Sequence, residues 1–275
     1  VGEARRRLVR AAAGAEPPTR LRWRGFWCHD AYGVRGHGWD DAVRRLAEHG
    51  FTAVLPNVCW GGVAFYPSQV LPVAEEVRER GDALAECLAA ARRHGVEVHA
   101  WRVNWNLGRA PADFVERLRA EGRLQRGRDG TELLWLCPSH PDNRRLEVEA
   151  MLELARRYDV DGLHFDYIRC PDAEHCFCDG CRARFEAAIG RPVPNWPGDL
   201  RTVPWRDEWN EWRRRQISSL VEEVHLRVRA LRPGLKLSAA VFREWERDRD
   251  LVAQDWKLWC ERGWLDFVCP MNYIE

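Results

Sequence analysis

One local pattern repeats along this chain and restricts the architectures open to it. An amphipathic segment ends at a stop, most often a glycine. A short apolar run follows, and polar or aromatic residues close the unit. It reads AEHG-FTAVLPN from Ala47 to Asn57 and ARRHG-VEVHAWRVN from Ala91 to Asn104. It recurs as DVDGLHFDY from Asp159 to Tyr167, LRPG-LKLSAAVF from Leu231 to Phe242 and CERG-WLDFVCPMNY from Cys260 to Tyr273. Glycine past a helix end supplies the left-handed backbone that other residues resist. Runs nearly continuous in Val, Leu, Phe and Ala suit strands buried on both faces of a parallel sheet.

The segments between these runs carry helix start signals. Asp40-Asp41 precede Ala42–His49, Asp82 precedes Ala83–His94, and Pro111 opens Ala112–Ala120. Asp142-Asn143 precede Arg144–Tyr158, and a longer segment covers about Trp205 to Leu231. With Arg24–His29 as an opening strand, the chain holds six β/α units. Such alternation with right-handed crossovers means a parallel α/β domain. No Gly-x-Gly-x-x-Gly follows the first strand, which argues against a dinucleotide-binding sheet. A (β/α)8 barrel of the TIM type fits better. Six strands are two short of eight: either Leu133–Leu136 supplies a further strand, or the barrel is incomplete. The second is the expectation, with residues 1–20 as a tail and 21–275 as a barrel domain truncated at its C-terminus. Unpaired strand edges would then favour association.

Composition narrows the partners. Hydrophobic residues at 45% and charged residues at 31% describe a soluble globule with a real core. No apolar run approaches the length of a membrane span. Lys+Arg 43 against Asp+Glu 42 gives a formal charge of +1, which argues against nucleic acid as a partner. Tryptophan is abundant, 15 of 275 residues. Its flat ring suits cores and the apolar faces of sugars alike, and core packing is expected for most of them. The first twenty residues lack an apolar leader core, so no signal peptide is visible. Compartment stays open, an extracytoplasmic one being favoured if a leader preceded Val1.

Barrels of this type build their sites at the C-terminal ends of the strands. Those ends carry His29 and Asp30, Asn57 and Trp60, Trp101 and Asn104, then Asp166, Tyr167 and Arg169. Arg243 and Glu244 follow the fifth strand, Asn272 and Tyr273 the sixth. Carboxylates, amides and aromatics are the vocabulary of carbohydrate binding. The first strand has no His-x-His for a metal-dependent amidohydrolase, and no Gly-x-Ser-x-Gly elbow marks a serine hydrolase. The sharpest feature is His164-Phe165-Asp166-Tyr167-Ile168-Arg169. Strand alternation puts His164, Asp166 and Ile168 on one face and Phe165, Tyr167 and Arg169 on the other. Asp166 is the leading catalytic candidate; the plainer alternative is a salt bridge to Arg169.

Six stretches carry a family resemblance: RGFWCH from Arg24, AFYPS from Ala64, GVEVHAWRVN from Gly95, LCPSHPDNR from Leu136, VDGLHFDYIRCP from Val160 and QDWKLWCERGWLDFVCPMNY from Gln254. In that order they resemble the glycosyl hydrolase-like 10 family, bacterial glycosidases with a barrel fold. The resemblance implies a glycoside hydrolase, with bacterial cell-wall glycan as a substrate class, and barrels that continue past the strand ending at Tyr273. Glycoside hydrolysis ordinarily needs two carboxyl groups, about 5 Å apart for retention or about 6.5–9.5 Å for inversion. Asp166 is the first; Glu244 and then Asp30 are candidates for the second, with Glu275 also in reach. Relatives carry an acid where this chain has Asn272, which favours the alternative of a non-catalytic carbohydrate-binding protein on the same scaffold. The expected sugar contacts are His29, Asn57, Trp60, Tyr66, Trp101, Asn104, Tyr167, Arg169, Asn272 and Tyr273. His99 and His164, inside strands, read as core residues.

Cysteine stands apart. Cys170, Cys176, Cys178 and Cys181 read C-x5-C-x-C-x2-C. Four thiolates can hold structural zinc, and C-x2-C is a ligand knuckle, but the usual distant second knuckle is missing. Disulfides and reduced thiols remain as alternatives. In each case the cluster braces the loop beside Asp166, and catalysis is expected to need no cofactor.

Overall fold

The computed structural model describes residues 23–273. The expected tail at residues 1–20 and the acid Glu275 lie outside the described residues. Six strands run parallel in chain order: β1 (Gly25–Cys28), β2 (Ala53–Trp60), β4 (Glu97–Val103), β7 (Gly162–Asp166), β8 (Lys236–Val241) and β9 (Phe267–Pro270). Neighbours in sequence are neighbours in space, and the sheet curls as a half-barrel with β1 and β9 outermost among the described residues. A two-residue strand, β3 (Val63–Ala64), folds back antiparallel on β2. The six expected strands are thus the six observed.

Leu133–Leu136 is not a seventh barrel strand. It belongs to β6 (Glu132–Leu136), which pairs antiparallel with β5 (Leu124–Arg126) in a separate ribbon. The turn Asp129-Gly130 between them explains why: a parallel neighbour needs a long crossover, whereas a short turn makes a hairpin.

Helices cover the outer face: α1 (Trp39–Glu48), α3 (Ala83–His94), α4 (Ala112–Ala120), α5 (Pro141–Arg157) and the long α7 (Trp205–Leu231). Short helices α2 (Glu75–Arg80), α8 (Trp245–Leu251) and α9 (Trp256–Glu261) fill loops, and α6 (Asp179–Ile189) follows β7. Asp82 caps α3 by accepting from Ala85 N at 3.0 Å, and Gly95 ends it with φ 66°. The helix read from Asp142 begins earlier, because Pro141 fits the first turn and a His140 ring nitrogen accepts from Asp142 N.

Alternation divides the sheet. Val54, Val98, Ala100, Leu163, Phe165, Leu237, Ala239 and Val241 face the helices in the main core. The concave face carries Trp27, His99, Trp101 and His164, with Ser238 opposite His164. Trp27 donates to His164 Nε2 at 3.3 Å, so Nδ1 carries the proton and donates to Ser238 Oγ at 2.9 Å. Burial, with His99 nearby, pushes the His164 pKa down to about 3, which keeps the ring neutral. Seven of the fifteen tryptophans are buried and the other eight half-buried, which agrees with the core-packing expectation.

Candidate functional site

Pairing of β4 with β7 sets Val103 beside Asp166 at the C-terminal end of the half-barrel. The carboxylate is 8% exposed. Its Oδ2 accepts from Trp101 Nε1 at 3.0 Å and its Oδ1 from Tyr167 N at 2.7 Å. Burial raises its pKa above the ordinary aspartate value, while the Tyr167 N–H, the Trp101 indole, Arg169 and His29 hold it down. Asp166 is therefore a partly desolvated acid at the mouth of the sheet, held by two donors.

Strand alternation stops immediately after it. Tyr167 has φ 54°, a left-handed value uncommon for a non-glycine residue. The turn sends Ile168 into the main core instead of leaving it beside Asp166. Tyr167 instead packs against Trp135 (5.4 Å) and Trp60 (5.9 Å). Arg169 makes no salt bridge to Asp166. Its guanidinium lies over Tyr167, Phe242 and Trp135 at 4.8, 4.9 and 5.8 Å, and donates to the carbonyl of Cys170 at 3.1 Å. The salt-bridge alternative for Asp166 is thereby removed.

A cleft of about 420 Å³ opens over the ends of β1 and β2, lined by His29, Asp30, Asn57 and Trp60 with Glu76 and Arg109. Asp166 stands one ring behind its wall: His29 meets Trp101 edge-on at 4.7 Å, and Trp101 holds Asp166. Asn57 is buried and its Oδ1 has no partner. Further hollows adjoin at both ends, one sharing Asp30 and Arg80, the other Glu76 and Arg109, so the cleft extends as a trough.

The expected site residues divide into three groups. His29, Asp30, Asn57 and Trp60 meet in the cleft, joined through Trp101 to Asp166 and Tyr167. Tyr66 and Asn104 are misassigned as sugar contacts, since both are wholly buried. Tyr66 donates to Glu153 at 3.2 Å, and Asn104 donates to Glu147 at 2.6 Å. Trp101, 3% exposed, is a buried positioning residue rather than a stacking platform. Glu244, Asn272 and Tyr273 do not line the cleft. Glu244 is exposed and pairs with Arg243 at 2.9 Å, and Tyr273 is 82% exposed beyond β9.

Sequence reasoning missed Glu76, Arg109, Trp135 and Glu147. Arg109 pairs with Glu76 at 2.7 Å; the Glu76 backbone N–H and then this partner hold the Glu76 carboxyl below the ordinary range. Glu147, on α5, receives Arg102 Nη2 at 2.8 Å and Trp105 N at 3.3 Å, a fully buried pair under the end of β4. None of the four sits at a parallel strand's end, the only signal the sequence offered.

The cysteine quartet also differs from expectation. Cys170 packs in the main core and takes no part. Cys137, one residue past β6, joins Cys176, Cys178 and Cys181. The distant fourth cysteine lies 39 residues upstream of Cys176 in the sequence.

With this geometry in place, similarity to known proteins becomes decisive. The profile of the family described as glycosyl hydrolase-like 10 matches residues 34–275. The chain belongs to that family. Among curated relatives, glycosyl hydrolase YngK of Bacillus subtilis is 24% identical over 263 residues, covering 85% of this chain and 47% of the relative. Glycosyl hydrolase DigH of Escherichia coli K12 is 23% identical over 269 residues, covering 85% of this chain and 57% of its own length. The chain thus spans about half the length of the curated relatives it matches. In fold it resembles the glycoside hydrolase domain of PgaB (BpsB) from Bordetella bronchiseptica, at a TM-score of 0.70 and 16% identity, over 90% of this chain and 74% of that one. The curled parallel sheet agrees with the barrel-type fold of these structural neighbours.

Proposed function

We propose that this family member is a glycoside hydrolase acting on a polysaccharide, with Asp166 as the acid that protonates the leaving glycosidic oxygen. The observation that carries the reading is the desolvated, doubly bonded Asp166 one ring behind a trough lined by acids and aromatics. Burial keeps a proton on the carboxyl at higher pH than an exposed aspartate would, which is what a general acid needs. Asp30, on the cleft wall, is the counterpart acid or base, and the exposed His29 lies between the two. Trp60 offers a ring for a sugar face. No metal or cofactor enters this scheme. Cell-wall glycan is the first substrate class to try, because the named relatives are bacterial glycosyl hydrolases.

A specific observation favours a second reading. Both Asp166 oxygens are already satisfied within the protein, as in a site that binds glycan without cleaving it. The experiment incubates the protein, D166N and D30N with wall glycan strands, chitin-like oligomers and plant polysaccharides, following both products and binding. Product release by the native protein, lost in D166N with binding retained, supports hydrolysis. Binding of a glycan by all three proteins without product from any supports the second reading. Equal turnover by native and D166N protein removes Asp166 from the mechanism.

A further inference from the structure

The proposed chemistry leaves the cysteine quartet unused. We propose that Cys137, Cys176, Cys178 and Cys181 bind one zinc ion as a structural tetrathiolate. The metal fastens the excursion between β7 and α7 to the end of β6.

Geometry comes first. The four sulfurs lie within 4.8 Å of one another, with Cys137 at 3.4 Å from Cys181 and 3.8 Å from Cys178. A tetrahedron with zinc–sulfur bonds of about 2.3 Å has edges of about 3.8 Å, so the cluster is already near its bound size. A disulfide needs about 2.05 Å, and all four cysteines are free. All four are also buried, so no surface thiol has to be drawn inward.

The surroundings fit a dianionic centre. Zinc binding releases the four thiol protons to solvent and leaves the Zn(Cys)4 unit with two negative charges. Arg184 Nη2 stands 3.9 Å from the Cys137 sulfur, and its Nε donates to Ser139 Oγ at 3.0 Å. That hydroxyl lies 3.3 Å from the sulfurs of both Cys137 and Cys181. The Cys181 N–H donates to Cys178 Sγ at 3.4 Å, where Cys178 caps α6. Donors and a cation aimed at sulfur orient the ligands and offset the charge. Soft thiolates in a closed tetrahedron select zinc over harder divalent ions.

The segment also needs such a fastening. Between Tyr167 and Pro204 it contains no strand, one helix and a short 3-10 turn. Its small core gathers Phe177, Phe185, Val193, Leu200, Trp209 and Trp212 around the cysteines. Few apolar groups serve a long irregular stretch, the circumstance in which small folds add a metal. Its other ties to the ribbon include a bond from Phe177 N to Arg126 O at 2.7 Å and those of Arg128, in the ribbon's turn, to Glu174 and to the carbonyl of Pro197.

The test is metal analysis of the purified protein, prepared under reducing conditions with zinc supplied. The expected result is one zinc per chain, and a cobalt-substituted form with the absorption of a tetrahedral tetrathiolate. Cys137→Ser is expected to lose most of the zinc, while Cys170→Ser keeps all of it. Zinc loss in Cys170→Ser but not in Cys137→Ser would overturn the ligand set. Native protein carrying iron, or carrying no metal with these cysteines free or in disulfides by mass spectrometry, would overturn the proposal. If Cys137→Ser does not fold, the metal ratio and cobalt spectrum of native protein decide alone.

Discussion

Asp166 is costly to the folded protein in the form that most aspartates adopt. Its pKa is raised on folding, so its favourable contribution is present below the unfolded value near pH 4 and is lost as pH rises through the folded value. Asp166→Asn should therefore be more stable than native protein at pH 7, with the advantage vanishing below about pH 4 in paired denaturation curves. The same variant should lose about 100-fold or more in kcat, the usual worth of a positioned acid. Native activity should fall as pH rises past the raised pKa, since the acid must be protonated. Trp101→Phe removes a donor to the ionised form, so that alkaline limb should move to higher pH; an unmoved limb would separate Trp101 from Asp166. At this scale the sequence was informative where topology speaks. His29, Asp30, Asn57, Trp60 and Asp166 could be read because a parallel strand's end has a known address. Tyr66 and Asn104 have the right chemistry at nearly the right place, and only packing against α5 shows that they face away from the cleft. Glu76 and Arg109 come from loop excursions, whose spatial course no spacing encodes.

At the level of elements, the β4–β7 pair and α5 together fix the site. Gly162 lies where any Cβ would overlap the His99 ring, so β7 can approach β4 only with glycine there. Gly162→Ala should destabilise by about 1–3 kcal/mol in chemical denaturation, by overpacking the concave face. Below the strand ends, the Arg102–Glu147 pair is sealed from water. Glu147→Gln leaves a buried guanidinium without its counter-charge and should cost about 3–5 kcal/mol. It should also loosen Asn104 and Trp105, both held by Glu147. Strands and helices were legible as elements because hydrophobic period and, at most helix ends, a glycine stop agree. The ribbon β5–β6 was not: a four-residue apolar run has no period long enough to tell a barrel strand from a hairpin arm. What decides is the length of chain before its partner. The break in alternation at Tyr167 was equally hidden, since a left-handed tyrosine has no composition signature.

Across the whole molecule, the largest apolar core lies between sheet and helices, and a separate one lies between the excursion after β7 and the first turns of α7. Arg213 on α7 joins them. It is 3% exposed, and its guanidinium donates to the carbonyl of His175 at 2.8 Å in the excursion and to that of Asp250 at 3.1 Å in the last turn of α8. A charged donor shared between an irregular segment and a helix end acts as a tie that the backbone hydrogen bonds of neither replace. Arg213→Ala leaves those carbonyls buried and unpaired, at about 2 kcal/mol or more. The loss should be uneven. Residues 171–204 should exchange amide hydrogens markedly faster, while β2, β4 and β7, held by the larger core, keep their protection. Uniform acceleration through sheet and excursion would mean that the two cores unfold as one unit. Protection unchanged in both would mean that the cysteine end and the bonds to the ribbon hold the excursion without Arg213.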